Sequence, residues 1–167
     1  DVSLDLLNTF STVDVEGTAD GQFQVASLQD QATLAGSLHV EGLGINDFPI
    51  GEIDLSAAME AGDLRLNLEN YFNGQKKIGI DGTVNLDTQN LEFDAKLTEA
   101  NLVIFEPFLS NYISNLGGTL TGNLQLQGNL DRPELLGSAR VEQGKLRINY
   151  MNTSYQLDGS VLFRPTQ

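Results

Sequence analysis

Strict alternation between apolar and polar residues runs through about eleven short stretches of this chain, and a period of two is the mark of a β-strand with one dry and one wet face. Leu64-Arg65-Leu66-Asn67-Leu68, Leu91 to Leu97, Leu120 to Gln127 and Leu146-Arg147-Ile148-Asn149-Tyr150 show it most cleanly. Because the pattern recurs along nearly the whole chain, the sequence predicts an all-β fold: a long antiparallel sheet that hides one side. What covers the hidden side decides the function.

The pattern places strands over Val2–Leu7, Gln22–Leu28, Ala32–Glu41, Gly51–Met59, Asp63–Asn70, Lys76–Leu86 and Asn90–Thr98. After a break come Gly118–Gln127, Leu136–Glu142, Lys145–Tyr150 and Ser154–Phe163. Asn73-Gly74 reads as a two-residue hairpin turn, and Ala61-Gly62, Asp87 to Asn90 and Gln143-Gly144 as tight reversals, so neighbouring strands pair in a meander. Between Phe105 and Leu116 the apolar residues Phe105, Phe108, Leu109, Tyr112, Ile113 and Leu116 change to spacings of three and four. Pro107 suits the first helical turn and Gly117-Gly118 its end, which predicts a three-turn amphipathic helix over 105–116 capping the core or gating a groove.

An internal repeat relates residues 36–67 to 122–149. Gly36-Ser37-Leu38-His39-Val40-Glu41-Gly42 aligns with Gly122-Asn123-Leu124-Gln125-Leu126-Gln127-Gly128, and Gly62 to Asn67 with Gly144 to Asn149. With 167 residues the chain is read as a single domain of repeated supersecondary units. Its first residues lack a starting methionine and a signal-peptide pattern, and it ends without closure on Arg164-Pro165-Thr166-Gln167, which reads as a piece of a longer protein.

Several functions are disfavoured by composition. There is no cysteine, and a net charge of −14 from 23 acidic and 9 basic residues leaves no basic stripe for nucleic acid. Many carboxylates (Asp5, Asp54, Glu69, Asp81, Glu92, Asp94, Asp158) fall on polar strand positions and read as a solvated face. His39 stands by itself on the polar side of its strand. The run Asp14 to Gly21 imitates a calcium loop but has Ala19 where the turn needs glycine. Catalytic residues, metal ligands and cofactors are therefore not expected, and neither is an enzyme.

Gly36, Gly82, Gly122 and Gly159 fall on the apolar phase, where a missing side chain permits curvature or leaves room against the backbone. The dry face can close into a sandwich or filled barrel, face lipid as a membrane barrel, or line an open trough. A membrane barrel needs strands of ~9–11 residues and aromatic girdles, and this chain has no Trp and shorter-looking strands.

The pattern Gly122-x-Leu124-x-Leu126-x-Gly128, then Pro133, Gly137 and Gly144-x-Leu146-x-Ile148-x-Tyr150, resembles the C-terminal region of the TamB family of AsmA-like bacterial envelope proteins. So do Asn152-Thr153-x-Tyr155-x-Leu157-x-Gly159-x-Val161-x-Phe163 and the preceding Phe105 to Leu109, especially in Bacteroidetes-type members. The resemblance implies a meander folded lengthwise into an open trough, β-taco-like. It also implies a periplasmic region of an inner-membrane-anchored protein in a Gram-negative bacterium, carrying phospholipid acyl chains between membranes. A BamA-type outer-membrane partner and support of outer-membrane protein assembly or secretion follow for the whole protein. On this reading the trough is lined by Leu120, Leu124, Leu126, Leu146, Ile148, Tyr155, Leu157, Val161 and Phe163. Alternatives are a closed sandwich or an edge-strand scaffold for unfolded outer-membrane proteins, and a surface solenoid that binds carbohydrate.

Overall fold

The computed structural model describes residues 2–4, 14–28 and 31–165. Its strands are β1 (Val2–Ser3), β2 (Val15–Leu28), β3 (Gln31–Ile45), β4 (Phe48–Glu60), β5 (Asp63–Phe72), β6 (Gln75–Asn85), β7 (Asn90–Asn101), β8 (Ile113–Asn129), β9 (Arg132–Ile148) and β10 (Thr153–Phe163). All are antiparallel and stand in chain order in one open sheet. Among the described residues there is no second sheet, so the closed sandwich is not the architecture. Part of the strand expected over Val2–Leu7, from Asp5 onward, lies outside the described residues.

Cross-strand partners share a face, and the register carries the apolar phase from one edge of the sheet to the other. A single row runs Val2, Ala19, Val40, Ile53, Asn70, Ile78, Leu97, Gly122, Ala139, Val161. Parallel rows pass through Leu68, Leu66 and Leu64 of β5. The row of Leu66, for example, is Phe23, Gly36, Ala57, Leu66, Gly82, Phe93, Leu126, Leu135. None of these four rows contains a charged residue. A slip of one residue in any strand would turn its apolar set to water, so the rows fix the register.

Just beyond the Asn70 row the ladders shift together. The shifts fall between Val40 and Leu43, between Leu97 and Ala100, and between Gly117 and Thr119 with their β9 partners. Each is a bulge, two residues facing one, which bends its strand. Gly42, Gly51, Glu99, Asn115 and Gln143, at or beside these sites, take positive φ. The line of bulges crosses the sheet and divides a long open half from a short closed end.

The reversal expected at Gln143-Gly144 is therefore absent: β9 continues through it to Ile148. Positive φ at Gln143 serves a bulge there, not a turn. The missing turn lies at residues 149–152, and ten strands replace the eleven expected. Strands of up to 17 residues also overturn the expectation of short ones. The open order of the sheet now distinguishes it from a barrel. Residues 14–21, read as an imitation calcium loop, lead into and form extended β2.

The helix is present but shorter than expected. A 3-10 turn (Leu102–Phe105) leads into α1 (Glu106–Leu109), with Pro107 in its first turn. Ile113 and Leu116, counted as helical by their spacing of three, belong to β8. The bulge at Asn115 sets them three apart on one side of a strand. The two copies of the repeat run on antiparallel strands, so corresponding residues fall at opposite ends: Gly62 in a hairpin turn of the open half, Gly144 in the bulge of the closed end.

Candidate functional site, the dry face

Among the described residues the dry face is covered chiefly at one end. The strap, residues 102–112, lies across it and ties its two flanks. Val103, 1% exposed, joins a cluster of Ala19, Val40, Leu43, Ile45 and Ile50 from β2, β3 and β4. Ile104 packs against that cluster and against a second one of Ile78, Leu97 and Ala100 from β6 and β7. Glu106 fastens the strap: its Oε1 accepts from Asn46 Nδ2 at 3.3 Å and its Oε2 from the Leu116 N–H at 2.9 Å. The β3–β4 turn is thereby linked to β8. Lys145 of β9 lies 5.9 Å from the centre of the Phe48 ring of β4, a second contact between the flanks.

Away from this end most of the same face is half-exposed, with Val84 and Leu91 buried. Along β4 Ile53, Leu55, Ala57 and Met59 are half-buried and alternate with exposed neighbours. Phe23 and Val25 are 62% and 74% exposed. A sheet of one layer with an uncovered apolar face offers a long open trough, walled on the strap side.

The proposed lining residues all lie in the last three strands, and none is fully buried. Leu120, Leu124 and Leu126 stand on β8. Val161 and Phe163 on β10 join the same rows through Ala139 and Gly137. Leu146 and Ile148 sit past the bulge of β9; on β10 Tyr155 stands opposite Leu146 and Leu157 opposite Gly144. Without the bulge, Leu146 would turn away from Val141. A Cβ built on Gly144 would meet Val141 Cγ1, so the even phase after the bulge continues the odd phase before it.

The four inward glycines leave space that is used in different ways. At Gly36 a Cβ would overlap the ring of Phe23, and at Gly82 that of Phe93, so two rings lie over two glycines. Gly122 lets the β9 backbone at Ser138 and Ala139 come close. Gly159, at φ +136°, has open space beside it.

One polar side chain interrupts the apolar rows. Asn70 is 3% exposed, and its Nδ2 donates to the carbonyls of Ile50 at 3.1 Å and Glu52 at 3.0 Å. It thus spans the bulge at Gly51 and replaces ladder bonds that the bulge breaks. The break in alternation at Asn70 was visible in the sequence; its partners were not. Neither was the strap's role, since Glu106 and its anchor Asn46 are 60 residues apart in the chain.

On the wet face His39 Nδ1 lies 2.7 Å from Asp54 Oδ1, and its Nε2 3.5 Å from Glu41. The hydrogen bond to Asp54, with help from Glu41, raises the imidazole above its ordinary value of 6.5. Glu69 is held below the ordinary range by hydrogen bonds from Lys76 and then from Tyr71, whose hydroxyl lies 2.5 Å away. These are surface pairs, and among the described residues no group of three or more His, Cys, Asp or Glu could hold a metal ion.

Comparison with curated proteins and with solved structures gives no match. The family profile of the TamB C-terminal domain matches residues 1–164, all but the last three residues of a chain whose one-layer sheet presents an apolar trough, and the chain belongs to that family.

Proposed function

We propose that the dry face carries phospholipid acyl chains across the bacterial envelope. The TamB family comprises non-enzymatic bacterial envelope proteins of outer-membrane assembly, working with the outer-membrane assembly machinery. No helix among the described residues is long and apolar enough to cross a membrane. A periplasmic place, an inner-membrane anchor elsewhere in the whole protein and a BamA-type partner are the finer parts of this proposal.

One observation carries it: an uncharged row, apolar but for Asn70, crosses all ten described strands while most of the face stays half-exposed, with no second layer upon it among the described residues. A dozen CH₂ groups half sheltered there gain about 5 kcal/mol, enough to hold a chain and little enough to release it. The lining residues named above, Leu120 to Phe163, form the part of this path nearest the β10 edge.

Native mass spectrometry with lipid extraction tests the reading. The chain purified from a Gram-negative host is expected to carry phospholipid near one per chain. Leu126→Arg, on the half-exposed part of β8, should lose it while the β circular dichroism persists. A lipid-free mass for the unaltered chain, stable to heating, would overturn the reading.

A second use of the fold rests on β10, whose outer edge is unpaired among the described residues. It has no Lys or Pro among its eleven residues to discourage pairing. Strand addition by an unfolded outer-membrane protein would use that edge. Proline placed through 160–162 should then weaken client binding and leave lipid retention unchanged; equal client binding would exclude the edge.

A further inference from the structure

The closed end contains a cavity of about 360 Å³ that differs in character from the rest of the trough. Its apolar part is Ile50, Ile78, Phe72 and the strap's Ile104, continuous with the Asn70 row. Its polar part includes Lys77 and Glu99, brought to it by the bulges of β6 and β7. Lys77 Nζ lies 3.0 Å from Glu99 Oε2 and 3.1 Å from Gln75 Oε1. The Lys77 side chain is only 13% exposed, whereas Glu99 is 66% exposed. Glu99 is held at φ +48°, and its N–H donates to Thr121 Oγ1. A cation and an anion thus stand together beside an apolar channel whose four rows hold no charge at all.

We infer that this cavity seats a zwitterionic phospholipid head group, with the phosphate at Lys77 and the ammonium at Glu99. The inference rests on the acyl-chain reading of the trough. Three features support the choice of ligand. The pair sums to zero charge, so a head group of zero net charge exchanges one ion pair for two without leaving a charge unmatched. A net charge of −14 on the chain disfavours a head group that is anionic overall. The dimensions also agree. From Asn70 to Leu64 along β5 the uncharged rows extend six residues, or about 20 Å. One acyl chain spans half of a bilayer's hydrocarbon core, or about 15 Å. With its head beside Lys77 and Glu99, a lipid lays its tails over Leu68, Leu66 and Leu64 and ends within the open half.

The test is competition between head groups on identical tails. The 167-residue chain is incubated with detergent micelles containing equal phosphatidylethanolamine and phosphatidylglycerol, re-isolated, and its lipid extracted and quantified. Phosphatidylethanolamine should be enriched roughly three- to fivefold, the scale of a partly exposed ion pair. Lys77→Gln should lower the bound amount of both lipids, which share the phosphate, and keep the preference for phosphatidylethanolamine that Glu99 supplies. Glu99→Gln, which leaves the lysine unmatched, should push the ratio toward phosphatidylglycerol. The exchange Lys77→Glu with Glu99→Lys should restore the enrichment.

Bound lipid with equal head groups in the unaltered chain, or enrichment unchanged in Glu99→Gln, would overturn the head-group site and leave the acyl-chain reading standing. No bound lipid of either kind would overturn both. Water-soluble phosphoethanolamine is expected not to displace the lipid; stoichiometric displacement would assign the cavity to a free zwitterion and overturn the lipid source.

Discussion

Asn70→Ala should be among the most damaging single changes in this sheet, although it removes no apolar contact. The amide donates to two backbone carbonyls, those of Ile50 and Glu52, on either side of the Gly51 bulge. Each bond is worth about 0.5–1.5 kcal/mol net, and a buried carbonyl left without a donor costs about 1–3 kcal/mol more. Ile50 is 3% exposed, so water cannot readily replace the lost donor at its carbonyl. A loss of about 2–4 kcal/mol follows, a large share of the ~5–15 kcal/mol that stabilises a domain. Urea unfolding reads it as a lower midpoint at unchanged slope. Asn70→Asp sharpens the test. The introduced carboxylate faces two carbonyl oxygens, which raises its pKa in the folded chain. Its protonated form can donate one bond, so stability should be best below the ordinary carboxylate range and fall as pH rises through the raised value. An alanine variant within about 0.5 kcal/mol of the parent, the range of an ordinary surface change, would refute the claim that Asn70 holds the bulge.

Gly82→Ala should cost about 1–3 kcal/mol by overpacking, because its Cβ would lie 2.3 Å from the Glu92 carbonyl oxygen and 2.4 Å from the Phe93 ring; differential scanning calorimetry would show the lowered midpoint. Glu106→Ala should cost about 1–3 kcal/mol by orphaning the N–H of buried Leu116, and should speed amide exchange along 102–112 more than in the open half. The His39 imidazole should titrate above 6.5 by NMR, and Asp54→Asn should bring it down. Its contribution to stability is present in full below the unfolded value and is lost as pH rises through the raised one.

Alternation made most of this sheet legible before any coordinates. Strands around Leu55, Leu66, Phe93 and Leu124 and the Asn73-Gly74 turn follow from local patterns, because each depends on neighbours in the chain. The misreadings share one cause. A bulge adds a residue, so apolar side chains on one face stand three apart: Val40 and Leu43, Ile50 and Ile53, Leu97 and Ala100, Ile113 and Leu116. In the sequence that spacing imitates a helix, and the positive φ that some bulges need imitates a turn, as Gln143-Gly144 did. The strap escaped for another reason: Glu106 finds Asn46 only after the sheet has curled. Lys77 and Glu99 carried no signal in the sequence, because their bulges, not their phase, bring them to the cavity.

A sheet of one layer must still find cover for one face, and that requirement links the fold to its use. Packing of strand on strand leaves Leu64, Leu66 and Leu124 half-exposed, so the open half gains less from burial than a sandwich of the same sequence would. Among the described residues the chain supplies its own cover chiefly at the closed end, where Val103 and Ile104 hold two clusters together. Extending that cover along the open half would raise stability and remove the trough. The carboxylates of the wet face oppose the other remedy, association of copies through their edges, by mutual repulsion at a charge of −14. On the proposed function, the cover is an exchangeable apolar ligand. Any such ligand that binds the folded chain and not the unfolded one stabilises it in proportion to the logarithm of its concentration. The cost of leaving the face bare and the affinity for an acyl chain are then two measures of the same uncovered area, which is why so long a row of the sheet remains free of charge.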